Sequence, residues 1–135
     1  MVPTKPSTLF PMSGDMTTDP GVWVRQILAN PKLTRGKYAA VCTEVITLGE
    51  ALSQWEAVSG KKGVYVVVEP EVISQLYGLA GEEAVTGVVF GEAVSDWWAH
   101  IKEQGLFVTK EELGISTDEV SNFRKALEGV KQFLG

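Results

Sequence analysis

Cysteine and histidine are almost missing from this chain. Among 135 residues there is 1 Cys, Cys42, and 1 His, His100. A single cysteine excludes an internal disulfide framework and a Cys-rich zinc site, and a single histidine leaves too few ordinary ligands for most metal centres. No apolar run is long enough to cross a bilayer, and the opening stretch, residues 1–13, lacks the apolar core of a signal peptide. Basic charge is also scarce. The chain has 12 Lys plus Arg against 17 Asp plus Glu, a formal charge of -5. Two basic residues stand side by side at Lys61-Lys62 and at Arg124-Lys125, and no longer basic run occurs. That balance argues against nucleic acid or an anionic membrane as partner. Hydrophobic residues make up 44% and charged residues 21%, enough for a real core. The expectation is one cytoplasmic α/β domain over residues 1–135, with residues 1–19 as an irregular lead-in holding a short strand at Leu9 and Phe10.

Punctuation along the chain supplies the elements. Asp19-Pro20-Gly21 reads as a helix start, with Asp19 as N-cap and Pro20 in the first turn. Val24, Ile27 and Leu28 then share a face until Asn30-Pro31 stops the helix. Residues 38–43 read as a short strand. Thr47 and Glu50 have the spacing of a capping box, and Leu48, Leu52, Trp55 and Val58 mark the buried face of the helix that follows, ending near Gly60. Residues 63–69, GVYVVVE, form the clearest strand, apolar enough to predict a central position covered on both sides. Pro70 opens another helix with Ile73, Leu76 and Tyr77 inward. Gly78 and Gly81 frame a break, and a further helix is predicted over 82–104. Ser116 and Glu119 make a second capping box, and Val120, Phe123, Leu127, Val130 and Leu134 predict a closing helix at three-and-four spacing. A small sheet covered by about five helices results. Its open edges favour a homodimer that pairs or covers them.

Residues 10–62, FPMSGDMTTDPGVWVRQILANPKLTRGKYAAVCTEVITLGEALSQWEAVSGKK, resemble the NmrA-like family of atypical short-chain dehydrogenase relatives. The resemblance rests on Pro11, Met12 and Asp15; on Trp23; on Ile27, Leu28 and Pro31; on Gly36, Lys37 and Tyr38; and on Thr47, Gly49 and Glu50. Residues 82–134 are similar to that family's C-terminal helical region. The likeness implies the later, substrate-side part of an NmrA-like fold. Family members open with a strand and a Gly-x-x-Gly-x-x-Gly loop that holds the dinucleotide pyrophosphate on a helix N-terminus. This chain has no such loop. Nor does it have the Tyr-x-x-x-Lys pair of ordinary short-chain dehydrogenases, because Cys42, Glu69 and Gly81 stand four residues after Tyr38, Tyr65 and Tyr77. The resemblance therefore implies no nicotinamide cofactor. The family includes redox sensors, reductases and enzymes of fungal secondary-metabolite clusters. A cofactor-independent isomerase or cyclase acting on an apolar natural-product intermediate is the expectation. A non-catalytic binding or regulatory protein is the alternative.

Acid/base chemistry needs a proton carrier held beside a substrate. Glu92, Asp96 and His100 recur every four residues, so one predicted helix places them on one side. His100 is then a candidate acid or base oriented by Asp96, with Trp97 and Trp98 lining a substrate pocket beside Glu92; the plain alternative is an exposed polar stripe. Asp15, in a loop before a helix, and Glu44, just past a strand, form a second candidate pair if they face one cavity. The bland readings are a turn cap for Asp15 and a solvated loop charge for Glu44. Tyr65 is a candidate ligand contact or a packed core residue. Cys42, without a basic neighbour or a helix N-terminus, reads as inert core.

Overall fold

Thr47 starts the helix that the sequence marks most clearly. The structure, a computed structural model, describes residues 1–94, 100 and 103–134. Helix α3 (Leu48–Ser59) begins with the complete capping box: the Thr47 hydroxyl accepts from the Glu50 amide at 3.1 Å, and the Glu50 carboxylate accepts from the Thr47 amide at 2.7 Å. Gly60, left-handed at φ 72, ends it. Helix α1 (Asp19–Ala29) also starts at the expected place, with Pro20 in its first turn, but its cap differs. Thr18 occupies the N-cap position without a side-chain bond to the helix amides, its hydroxyl donating instead to the Asp19 carboxylate at 3.2 Å, and Asp19 is the first helical residue. A single turn, α2 (Pro31–Thr34), follows Asn30.

The chain is mixed α/β. Among the described residues there are five helices and four short strands, the strands forming two separate two-stranded sheets. Strand β1 (Leu9–Met12) pairs with β3 (Glu44–Thr47), and β2 (Tyr38–Ala39) pairs in parallel with β4 (Phe107–Val108). The expected strand over 38–43 shrinks to its first two residues. Residues 63–69 form no ladder at all. Among the described residues their sole strand pairing is a parallel bridge between Val2 and Val67, and Val64 is 76% exposed. An apolar β-branched run suits a pleated surface, but a central strand needs a neighbour on each edge. Helix α4 (Pro70–Ala93) is broken at Gly78 and resumes at once, rather than after Gly81. The closing helix is also shorter than expected. Ser116 and Glu119 do form their hydrogen bonds, yet they close a turn, and α5 spans only Phe123–Gly129 before a 3-10 turn at Lys131–Phe133. Asn122 caps α5 by accepting from the Lys125 amide at 2.8 Å, which resets the helix start beyond Val120.

Two compact units make up the chain. One comprises Met1–Phe10 and Ile46–Trp97, the other Pro11–Val45 and Trp98–Gly135. In the first, Gly49 and Leu48 amides donate to the Pro6 and Thr8 carbonyls at 2.8 and 3.0 Å, which ties the amino-terminal stretch to the start of α3. Ile46, Val58 and Ile73 are buried there. The second unit holds the larger apolar cluster: Trp23 of α1 with Val108, Leu113, Ile115 and Val120, backed by Val22, Ile27, Leu33 and Ala39. Burying a side chain such as Trp23 removes a large apolar area from water, the main favourable term in folding. Tyr38 and Phe107 face each other across the β2–β4 pair, with ring centroids 5.5 Å apart. Among the described residues no helix is long and apolar enough to cross a membrane.

Candidate functional site

In the second unit, Asp15 and Glu44 are both drawn into the backbone. The Asp15 carboxylate accepts from the Thr17 hydroxyl at 2.6 Å and from the Thr17 amide at 2.8 Å, closing a turn just before α1. The Thr17 hydroxyl bond, followed by the amide bond, holds the Asp15 carboxyl below its ordinary value. Glu44 accepts from the Phe123 amide at the first position of α5. Of the two, Glu44 opens onto a cleft, whose volume is about 630 Å³. Lys110, Asp118, Asn122, Arg124 and Lys125 stand around it. The Lys110 ammonium donates to the Thr43 carbonyl at 3.1 Å, and Arg124 reaches Glu128 at 3.3 Å. Charged side chains of both signs line the cleft, together with Val120. Among the described residues no hydrogen bond or ion pair joins Asp15, Glu44 and His100 to one another.

His100 stands with its side chain 64% exposed, its Nδ1 3.7 Å from a Glu103 carboxylate oxygen. The orienting carboxylate assigned to it, Asp96, lies outside the described residues, as do Trp97 and Trp98. Glu92 and Tyr65 belong to the first unit. Glu92 comes within 3.9 Å of the Lys5 ammonium. The Tyr65 hydroxyl donates to the Thr4 carbonyl at 3.1 Å, a bond that holds residue 65 to the amino-terminal stretch. Cys42 is buried, and its thiol faces the Glu44 carbonyl at 3.2 Å.

The first unit carries an apolar groove of about 380 Å³. Val2, Ile73, Tyr77, Ala84, Val85 and Val88 line it. Two glycines shape it. Gly78 has φ 60 and ψ -142, a conformation open essentially to glycine alone, and it separates the two parts of α4. Gly81 is buried, and a Cβ there would stand 2.5 Å from the Ile73 carbonyl oxygen. That close approach brings Ile73 and Val85 to one groove. Among the described residues no carboxylate and no histidine lines it. Its volume falls in the range of small-molecule pockets, and its lining matches the mostly apolar character such pockets share.

Sequence reasoning missed Lys110, Arg124 and Lys125 beside Glu44, because they follow in the chain by dozens of residues and carry no motif. It also read Asp19 as a cap, where the folded chain buries its carboxylate. Among the described residues, no group of three or more His, Cys, Asp or Glu is placed to hold a metal ion. No family model matches the chain, and no curated protein sequence or solved structure matches it either.

Proposed function

We propose that this chain works as an NmrA-like binding or regulatory protein that holds an apolar small molecule without transforming it. The observation that supports this reading is the groove of the first unit: Ile73, Tyr77, Val85 and Val88 offer apolar contact, and among the described residues no carboxylate or histidine stands there to move a proton. Acid/base catalysis on an apolar substrate requires both in one place. The reading takes the protein as a cytoplasmic homodimer without a nucleotide cofactor, a nucleic-acid partner or a membrane partner.

Titration with an apolar, polarity-sensitive fluorophore tests it. Ala84→Trp fills the groove and Val88→Asp charges it; each is expected to weaken probe binding by about 10-fold or more, equivalent to ~1.4 kcal/mol. Native-like binding by both variants overturns the assignment.

A second reading, a cofactor-independent isomerase or cyclase, is favoured by Glu44, whose carboxylate lines a cleft beside Lys110 and Lys125. Glu44→Gln separates the two readings, because the amide oxygen still accepts from Phe123 while the proton acceptor is gone. Mass spectrometry of small molecules released from the purified protein supplies the compound to assay. Conversion of that compound by the native chain, abolished by Glu44→Gln, supports the enzyme. Absence of conversion supports the binding protein.

A further inference from the structure

One wall of the apolar groove is a separate piece of chain. Met1, Val2 and Pro3 supply it, while residues of α4 between Ile73 and Val88 supply the rest. Beyond this wall the chain is fixed: the Pro6 and Thr8 carbonyls accept from the Gly49 and Leu48 amides at the start of α3. Residues 1–5 therefore form a strap rooted at Pro6. Its attachments are few. The Val2 amide donates to the Val66 carbonyl at 2.9 Å, and the Val2 carbonyl accepts from the Val68 amide at 3.1 Å. The Tyr65 hydroxyl donates to the Thr4 carbonyl at 3.1 Å. The Lys5 ammonium stands 3.9 Å from Glu92, in a setting so exposed that an ion pair adds little. One cost opposes these bonds. Docking of the strap leaves Thr4 only 1% exposed, and among the described residues its hydroxyl has no hydrogen-bond partner. A buried hydroxyl without a partner disfavours the state that buries it, and an undocked strap returns it to water.

We infer that Tyr65 is a positioning residue for the ligand of this groove. Tyr65 is not among the described residues that line the groove; it holds the strap whose Val2 and Pro3 do. The inference rests on the binding reading above and adds how that site is controlled. A ligand lodged between the strap and α4 touches both walls only when the strap is docked, so it binds that form more tightly. By linkage, the ligand strengthens docking, and whatever weakens docking weakens binding. Tyr65→Phe removes the hydroxyl bond and strands the Thr4 carbonyl. Thr4→Val acts the other way, because a methyl of similar shape replaces the unmet hydroxyl.

Nile red titration of the full chain, with hydrogen exchange at the Val68 amide, tests this. That amide donates to Val2, so its exchange reports docking. Without ligand it is expected to exchange at least ~10-fold faster than amides in the middle of α3, and saturating Nile red should slow it at least ~10-fold. Tyr65→Phe should weaken Nile red binding about 5-fold or more, and Thr4→Val should tighten it, both with unchanged far-ultraviolet circular dichroism. A covalent lock separates positioning from damage to the groove. In a Cys42→Ala background, Val2→Cys and Val67→Cys place two thiols on paired strands ~4.8 Å apart, inside the range a disulfide spans. Once this pair is oxidised, chains with Tyr65 and with Tyr65→Phe should bind Nile red equally. The inference is overturned, and the groove reading stands, if the native chain binds Nile red and Ala84→Trp weakens it, yet Tyr65→Phe binds as the native chain does. Val68 exchange that ignores the ligand, or a lock that fails to rescue Tyr65→Phe, has the same meaning. A native chain that binds no Nile red overturns both.

Discussion

The Asp19 carboxylate accepts a hydrogen bond from the backbone amide of Ser121, 102 residues further along the chain, at 2.8 Å. The same oxygen accepts from the Asp15 amide at 3.0 Å, and Asp19 is only 2% exposed. One side chain therefore satisfies two backbone donors and fastens the first turn of α1 to the segment that precedes α5.

Asp19→Ala strands both donors and is expected to cost about 3 kcal/mol, the range for losing hydrogen bonds to a charged group and leaving buried partners unmet. Asp19→Asn keeps one acceptor oxygen and should cost markedly less. Urea unfolding of the two variants checks the order, and an alanine variant as stable as the asparagine variant would contradict it.

Trp23 is 2% exposed, and among the described residues its indole N–H has no hydrogen-bond partner. Trp23→Ala should cost ~3–5 kcal/mol through the cavity it leaves. Trp23→Phe should cost much less than that, since removing an unmet buried donor offsets part of the lost volume. Equal losses in thermal unfolding would show that the indole nitrogen has a partner after all.

Acid should loosen the segment around Ser116. The Ser116 amide bond, aided by Arg25, holds the Glu119 carboxyl below its ordinary value of 4.5. A carboxyl depressed in the folded chain adds stability above its unfolded value, and that stability is lost as pH falls through the lower folded value. Stability should therefore decline as pH drops below about 4.5, and Glu119→Gln should flatten that decline. Unfolding curves taken at neutral pH and at successive acid steps provide the comparison; an unchanged slope in the variant argues against this source.

Two glycines in α4 should respond to alanine for different reasons. At Gly78 nothing stands within 4 Å of the missing Cβ, so Gly78→Ala meets only backbone strain, about 1–3 kcal/mol. Gly81→Ala drives a methyl against the Ile73 carbonyl and should also disturb probe binding in the groove. A Gly81→Ala variant with native probe affinity would detach that glycine from the groove's shape.

Local signals in the sequence translated well where a few neighbouring residues decide the outcome. Thr47, Glu50 and Gly60 bound α3 as read, and Pro20 and Asn30 bound α1. Outcomes that depend on distant partners were not legible. Residues 63–69 have every local mark of a central strand, but pairing is supplied from elsewhere in the chain, and among the described residues only Val2 provides it. Val120 keeps the period of the closing helix yet is buried in the cluster around Trp23, ahead of the Asn122 cap. The polar cleft was legible only at Glu44. Its cations come from Lys110 and from α5, and no spacing rule links them.

The interleaving of the units has a consequence during synthesis. Residues 1–10 and 46–97 complete the first unit while much of the second is still unmade. The second unit keeps Trp23 and Asp19 waiting until Val108, Val120 and Ser121 emerge. Contacts of such long separation carry a large loop-closure cost and slow the search for the native state. Until those residues are made, Trp23 lacks the apolar neighbours that bury it, and its indole is open to non-native contacts.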